Sequence, residues 1–364
     1  MRPIARLCLV IAPVMMTSVG RGVPPTAQAQ GAAPREVTVD EGTSMSVAAS
    51  PDGRTLAIDL QGSLWTLPAT GGPARRITDV FGDARQPAWS PDGQWIAFFG
   101  YRDGGYDIWA VAPDGSGLHP LTWGPFDDRE PAWSHEGTRV AFSSDRRSSD
   151  RRDARPEPGD YDIWLLDLRT HQLQQVTKHP AEDFMPSWSP DDGEIAFVST
   201  RGNEQAVWVV TLEDGAERKI SATKARADAP SWGPGGEVVY HVTEGQAARL
   251  ETGGRPLTGA ENAFPFRASW TSPTEFVYTS DGKIRRRTIG GGEAQTVEFR
   301  ATLPVSQGGR SLGRLQGFPE AHPMAAIRTM LAKTPDNVLD ARPLRFPEGS
   351  SASSEQGLSA SLSR

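Results

Sequence analysis

The sequence holds a single cysteine, Cys8, inside an N-terminal apolar run. Beyond that run there is no thiol, which excludes a disulfide and a cysteine metal cluster. The six histidines form neither His-x-His nor His-Glu-x-x-His, so the zinc motifs of amidohydrolases and zincins are missing. No Walker loop or dinucleotide fingerprint occurs, and Asp114-Gly115-Ser116-Gly117 reads as a hairpin turn rather than a phosphate loop. No metal and no cofactor is therefore expected. Apart from Leu7 to Met16 there is no long apolar run, and that one is too short to span a bilayer. Positive charge is not in surplus either: the net charge is −7, which argues against a nucleic-acid partner.

What the N-terminus does have is the pattern of an export signal. Arg2 and Arg6 precede the apolar run, and Ala27-Gln28-Ala29 offers small residues for cleavage. Residues 1–29 are expected to be a signal peptide. The remainder is then expected in the periplasm or outside the cell, without a transmembrane segment, as a monomer.

Gly and Pro are plentiful, at 38 and 30 residues, and Trp reaches 11. This mixture predicts short strands joined by turns. One unit recurs. Pro87-Ala88-Trp89-Ser90-Pro91-Asp92-Gly93 leads into Ile96-Ala97-Phe98, and Pro131-Ala132-Trp133-Ser134-His135-Glu136-Gly137 into Val140-Ala141-Phe142. Pro186-Ser187-Trp188-Ser189-Pro190-Asp191-Asp192-Gly193 leads into Ile195-Ala196-Phe197. Looser copies begin at Ser50, Pro230 and Ala268. Each copy continues through a strand such as Asp107-Ile108-Trp109 and another ending in Leu121-Thr122. Four strands in about 40–45 residues is the signature of a propeller blade.

The turn has a physical reading. Ser bonds the backbone ahead, Pro presets φ, Asp tolerates the third position, and Gly takes the left-handed one. The tryptophan before it and the Ile-Ala-Phe after it are read as core between neighbouring blades. Counting the turns predicts an all-β, six-bladed β-propeller of four-stranded blades over residues 37–299. Val37-Thr38-Val39 is expected to pair with the last blade as a clasp. Residues 300–364 are expected to be irregular or disordered, with a short helix from Ala325 to Lys333.

The repeat of Trp-Ser-Pro-Asp-Gly, Asp-Ile-Trp and Ile-Thr resembles the TolB propeller of the Tol-Pal envelope system. Glu41-Gly42-Thr43-Ser44-Met45-Ser46, Leu64-Trp65-Thr66-Leu67-Pro68 and Phe264-Pro265-Phe266-Arg267 are similar to the TolB-like propellers at the front of large secreted amidohydrolases. Similar repeats precede the catalytic domain of prolyl-oligopeptidase-like peptidases. A repeat that fills most of the chain, with no catalytic constellation, leads to the expectation of an exported propeller that binds a protein or peptide partner without catalysis. Its alternative is the propeller part of a truncated or split hydrolase.

The informative charges lie in the loops between blades and between the second and third strands, which gather at one mouth of the channel. There the sequence places Asp83, Arg85, Asp128, Arg129, Glu130, Glu182, Asp183, Arg226 and Asp228, with Arg102, Arg146 and Arg201 from the second set. Such a ring on a rigid scaffold is a candidate binding site for a protein or peptide partner.

Overall fold

The structure is a computed structural model, and it describes residues 35–102, 104–146, 161–222, 224–259 and 261–305. The proposed signal and the helix expected at residues 325–333 lie outside the described residues.

Twenty-six strands follow one another in the described chain. After β1 (Arg35–Val39), blade 1 is β2 (Val47–Ala49), β3 (Thr55–Leu60), β4 (Ser63–Pro68) and β5 (Gly72–Arg76). Blade 2 is β6 (Arg85–Trp89), β7 (Ile96–Arg102), β8 (Gly105–Val111) and β9 (His119–Pro120). Blade 3 is β10 (Asp128–Trp133), β11 (Arg139–Ser144), β12 (Asp162–Asp167) and β13 (Leu173–Gln175). Blade 4 is β14 (Asp183–Trp188), β15 (Glu194–Ser199), β16 (Ala206–Thr211) and β17 (Glu217–Lys219). Blade 5 is β18 (Arg226–Trp232), β19 (Val238–Glu244), β20 (Ala247–Thr252) and β21 (Arg255–Pro256). Blade 6 is β22 (Ser269–Trp270), β23 (Glu275–Ser280), β24 (Lys283–Thr288) and β25 (Gln295–Val297). Within each blade, sequential strands pair in order and antiparallel, making a six-bladed propeller.

The second strand of each blade explains the Ile-Ala-Phe signature. It is buried on both faces, because a blade is packed on either side. Ala97 lies in one cluster with Val140 and Phe142 of the next blade. Ala141 lies with Ile195 and Phe197, and Ala57 with Ile96 and Phe98. From blade 1 to blade 4, each blade therefore sets an alanine against the large residues of its successor, which fills the gap at native density; blades 5 and 6 use Val239 and Val277 instead.

The turns bear out their predicted chemistry. Ser50 Oγ donates to Asp52 at 2.6 Å while accepting Thr55 N–H at 3.0 Å. Ser189 repeats this with Asp191 and Glu194. In blade 4 the left-handed position is taken by Asp192 (φ 56°) rather than by Gly193. The side chain of Asp192 reaches the turn of blade 3, where it accepts the N–H groups of His135 (2.8 Å) and Glu136 (2.9 Å) and lies 3.0 Å from His135 Nδ1. The two departures from the repeat thus explain each other, since a proline at 135 would have no N–H to give. Asp192→Ala is expected to lower stability by about 1–3 kcal/mol, the range for hydrogen bonds to a charged group. His135→Pro, although it restores the repeat, is also expected to destabilise. Urea denaturation of both variants checks this.

Ring closure differs from expectation. β1 does not pair with blade 6. It pairs antiparallel with β26 (Phe299–Val305), which itself runs parallel to β5, so both extend the outer edge of blade 1. Phe299 accordingly leaves blade 6, and regular strand structure runs on to Val305 instead of stopping at 299. Gly71 (φ +89°) permits this junction: a Cβ there would stand 2.4 Å from the Glu298 carbonyl oxygen.

Candidate channel-mouth site

The tryptophans that end the first strands line the channel, and most of their indoles reach across to a neighbouring blade. Trp89 Nε1 donates to Ala48 O (3.2 Å), Trp133 to Ala88 O (3.1 Å) and Trp188 to Ala132 O (3.0 Å). From blade 4 onward serine takes over the joint. Ser187 Oγ accepts Trp232 N–H (2.9 Å), Ser231 Oγ accepts Trp270 Nε1 (3.1 Å), and Ser269 Oγ accepts Ala49 N–H (2.9 Å), which joins blade 6 to blade 1. Trp232 is the exception, its indole turning back to Gly236 O (3.2 Å).

Just above these joints, the first strands of blades 2 to 5 each carry a bulge. Gln86, Glu130, Met185 and Ala229 occupy it with φ between +48° and +59°. Each precedes a proline, which has no N–H to contribute to the ladder there. Carboxylates of the preceding blade take two of the amides: Asp59 accepts Gln86 N–H (2.8 Å) and Glu130 accepts Met185 N–H (2.8 Å). Burial pushes both carboxyls above their ordinary range.

The predicted ring divides in two. Asp128, Asp183 and Asp228 are buried. Asp128 pairs with Arg146 and accepts Ser144 Oγ (2.6 Å). Asp183 pairs with Arg201 at 3.0 Å. Arg102 pairs with Asp79 at 3.1 Å. Each of these arginines also lies over the tryptophan of its blade's third strand, Arg102 on Trp109 (5.2 Å), Arg146 on Trp164 (5.8 Å) and Arg201 on Trp208 (4.5 Å). These groups anchor the loops and are not available to a large partner. Glu130, also buried, accepts Ser143 Oγ at 2.7 Å.

The other part faces solvent. Arg85, 40% exposed, pairs with Asp83 at 3.0 Å, and Asp83 also accepts Tyr106 OH at 3.0 Å. Arg129 pairs with Asp127 at 2.9 Å and lies over Tyr106 at 4.5 Å. Arg226, 61% exposed, pairs with Asp228 at 3.1 Å. Glu182 is half-buried, its N–H held by Thr200 Oγ1 at 3.2 Å. Sequence reasoning overlooked the apolar side chains beside them. Val80 and Phe81 on the loop before β6, Trp123 on the loop before β10 and Tyr101 near the end of β7 are all exposed at this mouth; the other exposed large apolar residues among those described are Val37 and Leu173.

It also overlooked Arg267. This residue stands in blade 6 where the other blades carry their bulge residue, and it reaches the opposite wall. Its guanidinium donates to Pro186 O (3.0 Å), Pro131 O (2.8 Å) and Glu130 O (3.2 Å). Burial lowers its pKa to about 10, against the field of Glu130. A charge at a repeat position that faces the channel was the available signal. Among the described residues no cluster of His, Cys, Asp and Glu could hold a metal ion, and no helix is long and apolar enough to cross a membrane.

Four-stranded blades, indole joints and Ser-Pro-Asp-Gly turns define a six-bladed β-propeller. The family model described as the TolB beta propeller domain matches residues 153–257, and that of the Tricorn protease N-terminal beta propeller domain matches residues 54–156. Together the two matches span residues 54–257, so the propeller of this chain is similar to those of TolB and of the tricorn protease. It is 25% identical over 209 residues to an uncharacterized protein of Agrobacterium fabrum, covering 53% of this chain and 67% of that one. It is 56% identical over 36 residues to the Tol-Pal system protein TolB of Syntrophus aciditrophicus, covering 10% of this chain and 8% of that protein. An uncharacterized peptidase of Bacillus subtilis, YuxL, is 28% identical over 123 residues, 33% of this chain and 18% of that one. Among solved structures, TolB from Acinetobacter baumannii superposes with a TM-score of 0.55 at 15% identity, covering 72% of this chain and 66% of that one. The tricorn protease gives 0.56 at 11% identity, covering 71% and 26%. These structural likenesses concern the fold alone.

Proposed function

We propose that this propeller is an exported binding module that takes a protein or peptide partner of the cell envelope on the mouth above blades 2 and 3. It performs no chemistry of its own. The observation that carries this reading is the exposure of Val80, Phe81, Tyr101 and Trp123 on the segments that end at that mouth, together with Arg85 and Arg129. Exposed apolar patches with a polar rim are the usual mark of interaction sites. The export signal read from residues 1–29 and the likeness to TolB favour the envelope as the place. A photo-crosslinker placed at Phe81 or Trp123 is expected to trap a discrete partner in the native envelope. The same probe at Leu173, exposed on the outermost strand of blade 3, is expected to trap none. Arg85→Glu with Arg129→Glu should abolish the product. Equal trapping at all three positions, or at none, would sink the reading.

A second reading is favoured by the tricorn and YuxL likenesses: the propeller belongs to a hydrolase. One Gly-x-Ser-x-Gly string, Gly309-Arg310-Ser311-Leu312-Gly313, follows the ring, outside the described residues. The string alone is weak, because a nucleophile elbow needs a strand–turn–helix around it. Peptide or ester hydrolysis by the full chain that disappears in Ser311→Ala would select this reading over the first.

A further inference from the structure

We infer that the channel beneath the mouth is a subsite for the C-terminal carboxylate of a peptide, with Arg267 as its anchor. This subsite lies below the mouth and goes beyond the mouth-binding reading.

The cavity along the axis has a volume of about 220 Å³. That is below the size of pockets that enclose a drug-sized molecule. It suits the last residues of an extended chain and excludes a folded domain. Its wall is built from the tryptophan edges and from small residues, Ala48, Ala88, Ala132 and Ser187 among them. Although the chain is acidic overall, no Asp or Glu lines this cavity. The charged groups that do are Arg267 and, at the far rim, His135.

Arg267 is held as an anion receptor would be. A guanidinium carries five N–H donors. Three bonds to main-chain carbonyls fix its position from across the channel. Carbonyls orient the group without neutralising it. No ion pair joins Arg267 to a carboxylate of the described residues, and the acid whose charge acts on it, Glu130, is already occupied by Ser143 Oγ and Met185 N–H. A half-buried cation that lacks an ion partner is stabilised by any carboxylate that enters, and the bond formed is of the charge-assisted kind. Position supports the same reading. Arg267 stands at the level of Gln86 and Glu130, one step inside the mouth where Arg85 and Arg129 begin. The exposed residues of the cavity wall, Pro51 and His135, belong to the turns on the face opposite the mouth, so a peptide end entering from that face runs along the axis to meet the guanidinium.

The test uses the full chain, immobilised, and a pool of random-sequence hexapeptides prepared both as free acids and as C-terminal amides. Retained peptides are quantified by mass spectrometry. Free acids should be enriched about tenfold over amides, the scale of one charge-assisted hydrogen bond. In Arg267→Gln the preference should fall to within about twofold, and Arg267→Lys should restore part of it. Should Arg267→Gln fail to fold, the acid-to-amide ratio of the unaltered chain still decides. Retention of acids and amides in equal amounts overturns the carboxylate subsite and leaves the mouth-binding reading standing. Retention of neither overturns the subsite. A free-acid preference that persists undiminished in Arg267→Gln overturns the assignment to Arg267.

Discussion

Arg201→Met is expected to lower stability by about 3–5 kcal/mol, the range for stranding one partner of a buried ion pair. The arginine lies over Trp208 and Phe197, pairs with Asp183 and Glu217, and donates its Nε–H to Ser199 Oγ at 2.6 Å. Its loss leaves the Asp183 carboxylate fully buried without a cation. Asp183→Asn together with Arg201→Met should regain most of the deficit, because the charge that required compensation is then gone. The sign with pH follows from Asp183. Burial raises its carboxyl above the ordinary 3.8, against the hydrogen bond from Ser199 and the charge of Arg201. A raised folded-state pKa means that the native chain holds a proton the unfolded chain has lost, so this group's contribution falls as pH rises through that window. Removing the arginine widens the window upward. The deficit of Arg201→Met relative to the unaltered chain should therefore be larger at pH 7.5 than at pH 5, as read by urea denaturation. A deficit under 1 kcal/mol, or one that grows on acidification, would contradict the assignment of Arg201 as the counter-charge.

Phe299→Ala should cost about 3–5 kcal/mol, as large aromatic truncations in cores do. Phe299 opens β26 and is only 1% exposed, packed with Leu56, Ile58, Trp65 and Val277 at the junction of blades 1 and 6. The effect should exceed that of cutting back a residue of similar size within one blade's rim, because the same side chain seats the strand that closes the ring. Loss of β26 leaves β1 with no partner and bares the edge of β5. Thermal unfolding should then show an early step confined to blades 1 and 6. Hydrogen exchange resolved by fragment would place it, with Leu56 and Val277 losing protection before Phe142 and Phe197. Uniform loss across all blades would mean that closure and blade packing are one cooperative event.

The blades were legible because they rest on local chemistry. A Ser-Pro-Asp-Gly turn is readable from adjacent residues, and so is the apolar strand that follows. Even the alanine of Ile-Ala-Phe is in the pattern, though its reason, the bulky pair of the next blade, is not. Features that pair distant irregularities were not legible. Asp192 is an extra residue in blade 4 and His135 a missing proline in blade 3, and neither announces the other. Arg146 and Asp128 could each be seen as charged, but not that they bury one another. The closure strand bears no repeat signature, so β1 was assigned to the neighbouring blade rather than to β26. Arg267 was passed over because it belongs to the copy whose turn is most degraded.

The junction of β1, β26 and β5 also has a kinetic consequence. Almost every other strand pair joins neighbours in sequence, so each blade can form as soon as its own residues are available. The pairing of Val37 with Leu303 cannot. Contacts between such distant parts of a chain are slow to find, since the loop entropy must be met before any reward. Until then five blades can stand assembled around an unlocked first blade, with the outer edge of β5 unpaired and open to another molecule. The slowest step in refolding should accordingly be arrival of the last strand. Raising protein concentration during that interval should divert chains into strand-exchanged dimers, in which β26 of one molecule completes the ring of another.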